Sequence, residues 1–212
     1  MPFSGSFSLI TSFLTTRLMR LEPVSSVALI EQVERCDIGQ MPFMDRLPLL
    51  LDHEAMERED RQLTSRLRRG KLRYAEAWLE NLDRRGERAL ATGLIQQLIS
   101  RGWIHKHRNV LIGGATGVGK SFLAFTLAQK ACRAGYSVRY ERPPTLLAGL
   151  ILARADGTYA NCFKELSRAR VLIIDDYGLA VIGAYERHEL LELLEERYER
   201  RSTIVTSQLR YR

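Results

Sequence analysis

The apolar positions of this chain change their period near His107. Before it, Leu47, Leu50, Leu51, Met56, Leu63 and Leu67 recur at roughly helical spacing among charged residues, which predicts a helical segment from Met44 to about Leu98. After it the apolar residues come in short continuous runs. Residues 109–113, 137–140, 170–175 and 202–206 read as buried strands, and residues 122–133, 144–154, 159–167 and 185–200 as helices. Strands that alternate with helices and are apolar on both faces predict a parallel sheet covered on either side, a three-layer α/β architecture. The opening segment differs from both. Residues 1–43 are crowded with Ser, Thr and Phe and carry no acid before Glu22. Thr11, Ser12, Thr15 and Thr16 break the apolar stretch that a targeting peptide requires. The expected division is a disordered, atypical leader over 1–43, a small helical domain over 44–100 and an α/β core over 101–212.

Composition narrows the class without naming a partner. With 212 residues, 45% of them hydrophobic and 27% charged, the chain can bury a core of ordinary size. Cys36, Cys132 and Cys162 are odd in number and lack CxxC spacing, which argues against a zinc site or a disulfide framework and for a reducing, cytoplasmic setting. No apolar run approaches the ~18–20 residues needed to cross a bilayer, so no membrane role is expected. The formal net charge of +7 favours an acidic partner, most often nucleic acid.

One motif is far more specific. Gly114-Ala115-Thr116-Gly117-Val118-Gly119-Lys120-Ser121 matches G-x-x-x-x-G-K-[ST] directly after a strand and at the start of a helix. Chance matches to its four fixed positions in a chain of this composition number about 0.003. Glycines let the backbone curl so that successive N–H groups point at phosphate oxygens, and the following helix adds its positive end. Lys120 would neutralise the β and γ phosphates of ATP, and the Ser121 hydroxyl would ligate Mg²⁺. Further on, Val171-Leu-Ile-Ile-Asp175-Asp176 ends an apolar strand in two carboxylates. At the C-terminal edge of a parallel strand, Asp175 suits Mg²⁺ binding and Asp176 the polarisation of an attacking water. Thr206, Ser207 and Gln208 close the fourth strand. If that strand lies between the other two, one of them would face the γ-phosphate.

Arg66, Arg68, Arg69, Lys71 and Arg73 concentrate five bases in eight positions, which reads equally as a solvated helix face or a phosphate-contacting patch. Gly70 inside this run argues against one unbroken helix. His53, His105, His107 and His188 have no ligand spacing. Trp103 and Tyr140 read as core or hinge aromatics ahead of adenine-stacking ones.

The phosphate loop with its preceding N-V-L-I-G, then L-A-x-x-L-A-x-K-A-C-R-A-G-Y-S-V, A-R-A-D-G-T-Y, V-L-I-I-D-D-Y-G-L-A and R-Y-x-R-R-S-T-I-V-T-S-Q-L, together resemble the IstB-like ATP-binding proteins over about residues 44–209. These are insertion-sequence transposition helpers, similar also to DnaC-type helicase loaders. The resemblance implies a P-loop NTPase of the AAA+ type behind a small N-terminal helical domain. It implies ATP and Mg²⁺ as cofactors, and ATP-dependent homo-oligomeric assembly on DNA without sequence specificity, to stimulate a partner transposase. Carried over by position, residues 114–121 bind nucleotide, Asp175 and Asp176 serve Mg²⁺ and water, and Ser207 or a neighbour senses the γ-phosphate. A helicase-loader-like ATPase and an inactive nucleotide- and DNA-binding fragment are the competing readings. The family continues past this chain's Leu209-Arg-Tyr-Arg212 with a fifth strand, an arginine finger and a helical lid. The C-terminal part is therefore expected to be truncated, with ATP turnover affected more than ATP binding.

Overall fold

The structure, a computed structural model, describes residues 42–72 and 92–209. The expected leader and Arg73 of the basic run lie outside these residues. By packing, the chain divides into units 1–62 and 63–212, a boundary inside helix α1 (Phe43–Arg69). In the first unit Glu54 is buried and accepts a hydrogen bond from Arg61 at 2.9 Å.

The second unit holds α2 (Thr92–Ile99), α3 (Gly102–His105), β1 (Val110–Gly113), α4 (Lys120–Arg133), β2 (Val138–Glu141), α5 (Pro143–Ala155), α6 (Tyr159–Arg168), β3 (Val171–Tyr177), α7 (Ala184–Arg197) and β4 (Ser202–Ser207). The four strands are parallel, in the order β1-β4-β3-β2. The condition set on the fourth strand is met, since β4 lies between β1 and β3. All four apolar runs form strands within two residues of the expected bounds. Helix α7 stops at Arg197 rather than at 200, because the chain turns there and Glu199 takes a left-handed φ of 55°.

Both faces of the sheet are covered. Val171 to Ile174 of β3 are at most 1% exposed, and their alternate side chains enter two cores. On one face, Val171, Ile173 and Ile204 meet α4, where Ala124, Ala128 and Ala131 allow close approach, together with Trp103 and Ile104. On the other, Leu172 and Ile174 meet Leu146 and Leu150 of α5, Leu166 of α6 and Leu193 of α7. Trp103 is a core aromatic whose Nε1 donates to Leu98 O at 2.9 Å.

Gly70 explains the interruption in the basic run. Helix α1 ends at Arg69, and the Tyr140 N–H on the outer edge of β2 donates to Gly70 O at 2.9 Å. A Cβ at Gly70 would meet both Arg66 O and Val138 O at 3.1 Å, so the glycine permits the backbones to touch.

Arg197 locks the edge of the sheet where β3 and β4 begin. Its guanidinium is 1% exposed and donates to Leu166 O and Ala169 O at 2.8 Å, to Ser202 O at 2.6 Å and to Thr203 Oγ1 at 3.1 Å. It thereby gathers carbonyls left over at the end of α6. Burial pushes Arg197 down to about 9, which keeps it cationic at neutral pH. Each buried acceptor left without a donor costs about 1–3 kcal/mol, and relief of the buried charge returns part of that. Arg197→Met is expected to cost ~3 kcal/mol and lower Tm by roughly 6–12 °C in thermal unfolding. A shift under about 2 °C would mean that the burial penalty cancels the bonds.

Candidate functional site

The phosphate loop leaves β1 and enters α4. Gly117 and Gly119 take left-handed φ values of 77° and 89°, and Gly114 a φ of 158°, so the loop curls as the glycine spacing requires. Lys120, the first residue of α4, is 8% exposed and folds back over this curl. Its Nζ donates to Gly114 O at 2.9 Å and to Ala115 O at 2.8 Å. The one positive side chain of the loop therefore lies inside the arc that the backbone describes.

Asp175 lies at the C-terminal end of β3, 1% exposed. Its Oδ1 accepts from Ser121 Oγ at 2.8 Å and from Thr206 Oγ1 of β4, and its Oδ2 accepts from Tyr140 OH of β2 at 2.8 Å. Three hydroxyls from three elements thus orient one carboxylate. Burial, reinforced by the Asp175 carboxylate, pushes Tyr140 up to about 12, so its phenol remains a donor across the physiological range. The Tyr140 ring stacks on Phe125 with centroids 4.8 Å apart.

Asp176 follows in a different conformation. Its φ is +61°, and the β3–β4 register shifts between Ile174 and Tyr177, so the two acids occupy a bulge. A left-handed non-glycine residue costs about 1–3 kcal/mol, although aspartate is among the side chains that tolerate it best. The Asp176 N–H donates to Thr206 Oγ1 at 2.9 Å, and Arg142 Nη2 lies 3.3 Å from Asp176 Oδ2. Arg142 Nε also donates to Tyr140 OH at 3.3 Å. A continuous chain runs Ser121–Asp175–Tyr140–Arg142–Asp176.

The residues left open at the end of β4 are now separated. Thr206 touches both acids. The Ser207 hydroxyl is buried, donating to Tyr177 O at 2.8 Å and accepting from Leu209 N–H at 3.0 Å. Of the three candidates for facing the γ-phosphate, Ser207 thus has its hydroxyl engaged by the backbone. Gln208 Oε1 instead accepts from Thr116 Oγ1 of the phosphate loop at 2.8 Å. The sequence singled out Tyr140 only as a core or hinge aromatic and did not single out Arg142. Their signal was the end of β2, which carries weight only once β2 is known to pair with β3.

A cleft of about 510 Å³ opens beside β1 and extends to Gly113, the residue before the phosphate loop, lined by Leu94, Leu98, Trp103, Arg108, Leu111 and Leu123 among others. The basic run divides. Arg66 donates to Cys132 O at 3.4 Å, and Lys71 pairs with Glu141 at 2.7 Å. Arg68 and Arg69 are exposed and make no ion pair among the described residues. No cluster of His, Cys, Asp and Glu able to hold a metal by itself occurs among the described residues. No helix there is long and apolar enough to cross a membrane.

Residues 15–212 match the family described as IstB-like ATP binding protein, a match that reaches into the segment expected to be an atypical leader. A protein named for ATP binding in an insertion sequence of Sinorhizobium fredii is 47% identical over 182 residues, 86% of this chain and 74% of that protein. A protein named for ATP binding in insertion sequence IS1162 of Pseudomonas fluorescens is 46% identical over 169 residues, covering 80% of this chain and 73% of its own length. The crystal structure of the DnaC helicase loader superposes with a TM-score of 0.51 at 21% identity, over 56% of this chain and 68% of that one, a likeness of fold.

Proposed function

The chain belongs to the family of IstB-like ATP-binding proteins, and from that premise and the site's geometry we propose that it is an Mg²⁺-dependent, DNA-associated ATPase that assembles with copies of itself in the cytoplasm and stimulates a partner transposase. The observation that carries this reading is the 2.8 Å hydrogen bond between Ser121 and Asp175. It brings the hydroxyl after the phosphate-loop lysine against the carboxylate at the end of β3, the two residues that would hold Mg²⁺ at this site. Bound there, the ion would offset charge on those phosphates.

The chain's own groups divide the work. Backbone N–H groups of residues 114–121 and the N-terminus of α4 hold the phosphates, while Lys120 leaves the Gly114 and Ala115 carbonyls for them. The apolar cleft beside β1 provides room for the base. Asp176 polarises the attacking water, and Arg142 holds its carboxylate in place. Gln208, tied to Thr116, is the polar side chain of β4's end closest to the phosphate loop and takes the γ-phosphate-sensing role.

Arg68 and Arg69 make the first DNA contacts, joined by Arg66, Lys71 and Arg73 on the same stretch. Within residues 66–73 they are interspersed with no aromatic or amide side chain, so binding is phosphate-dominated, without sequence preference and steeply salt-dependent. Replacing both Arg68 and Arg69 by Ala is expected to flatten the log–log salt slope on duplex DNA by up to roughly two units, at ~0.9 per contact. An unchanged slope would return them to an ordinary solvated face.

The whole reading is tested by measuring ATP turnover with and without duplex DNA, and by asking which protein the ATP-loaded chain retains. DNA-dependent turnover and retention of a transposase are expected. Retention of a replicative helicase instead would favour the loader reading, and ATP binding with no turnover under any condition would leave a binding module.

A further inference from the structure

In a parallel sheet every strand begins at the same edge, so the connections entering the strands share one end of the molecule. The acids Glu141, Asp175 and Asp176 lie at the other end, where the strands finish. The entering connections are of opposite character. Lys106 and Arg108 precede β1, Arg168 and Arg170 precede β3, and Arg200 and Arg201 precede β4.

Register sharpens the pattern. Val171 pairs with Ser202, so Arg170 and Arg201 enter neighbouring strands side by side, about 4.8 Å apart. Val110 pairs with Ile204, which sets Arg108 beside the same point of β4. Arg201 donates to Arg168 O at 3.3 Å and Arg200 O at 2.7 Å, neutral acceptors that fix its place and leave its charge uncompensated. Arg200 is the exception, paired with Glu196 at 2.8 Å.

A bland explanation is that these bases answer the negative ends of α4, α6 and α7, which finish at this edge. Magnitudes decide against it. Three helix ends supply about half a negative charge each and Glu199 one more, which leaves roughly half of the five charges on Lys106, Arg108, Arg168, Arg170 and Arg201 unbalanced. Such a row repels itself, and a polyanion relieves it. Its fixed spacing suits a backbone of regularly placed phosphates. Asn109, the amide beside Arg108, accepts from the Thr203 N–H at 2.9 Å through its Oδ1, which ties it to β4.

We propose that the edge where the strands begin is a second DNA-contacting surface, at which Arg108, Arg168, Arg170 and Arg201 bind the phosphates of duplex DNA at the end of the sheet opposite the ATP site. The proposal rests on the DNA-associated function above and adds a surface apart from Arg68 and Arg69.

The test is a salt series on duplex DNA with the full chain and with Arg108→Ala/Arg168→Ala/Arg170→Ala. The expected result is a log–log slope lower by up to ~2.7 units, at about 0.9 per contact, and an effect additive with that of the Arg68/Arg69 pair. Arg108→Glu, at an exposed position, is a second variant that leaves strand packing alone and should lower the slope by itself. A folded variant with the parent's slope overturns this surface while leaving the DNA-associated function standing. A parent chain that binds no duplex DNA overturns that function and this surface together. Loss of poly-glutamate binding with the DNA slope intact would assign the edge to an acidic protein and overturn the proposal.

Discussion

Lys120→Ala should remove ATP binding while the chain stays folded. The ammonium is the positive group inside the loop, and with ATP bound it would make charge-assisted bonds to two phosphates. At about 1.5–3 kcal/mol each, their loss corresponds to a roughly 10²- to 10⁴-fold fall in affinity. The structural cost is small, because Nζ bonds only to two loop carbonyls that water can reach when the side chain is gone. Titration with a fluorescent ATP analogue measures the first effect and thermal unfolding the second. A folded variant with the parent's affinity would remove Lys120 from the site.

The two adjacent acids should separate binding from turnover. Asp176→Asn keeps the shape and hydrogen bonds of a half-exposed residue but can no longer take a proton from water. Loss of a positioned base costs typically 10²–10⁴-fold, so turnover is expected to fall by that factor with ATP affinity within about threefold. Asp175→Asn should act differently. The buried carboxylate is the acceptor for Ser121, Thr206 and Tyr140, and its charge is what Mg²⁺ needs. Its replacement should weaken ATP binding in Mg²⁺ and leave binding in EDTA unaltered. Single-turnover assays across a Mg²⁺ series compare the two, and identical behaviour would contradict the division of roles.

Much of the α/β core was legible from pattern alone, for a physical reason. A strand buried on both faces must be largely apolar, so β3 announces itself through Val171 to Ile174, and the phosphate loop is recognisable because its glycines and lysine are needed at fixed separations. What stayed hidden depends on which strands are neighbours. Tyr140 and Arg142 end an unremarkable strand, and they reach Asp175 and Asp176 only because β2 lies beside β3. Nothing in T-S-Q distinguishes its three polar residues until the pleat turns Ser207 toward the Tyr177 carbonyl and Gln208 becomes the one that meets Thr116. The same holds for Arg108, Arg170 and Arg201. Each looks like an isolated loop base in the sequence, and parallel pairing alone makes them a row. Gly70 was visible as a helix breaker, whereas its reason, contact with Val138, spans 68 residues of chain.

The most direct test of the central claim, that ATP and Mg²⁺ share the site formed by residues 114–121 and Asp175, is the thermal stability of the chain with ATP in Mg²⁺ and in EDTA. A ligand at a hundred times its Kd stabilises the folded state by about 2.7 kcal/mol, which for a unit of this size raises Tm by roughly 5–10 °C. The account predicts that rise in Mg²⁺, a clearly smaller one in EDTA and none in Lys120→Ala. Equal shifts with and without Mg²⁺, or a shift that survives in Lys120→Ala, would contradict it.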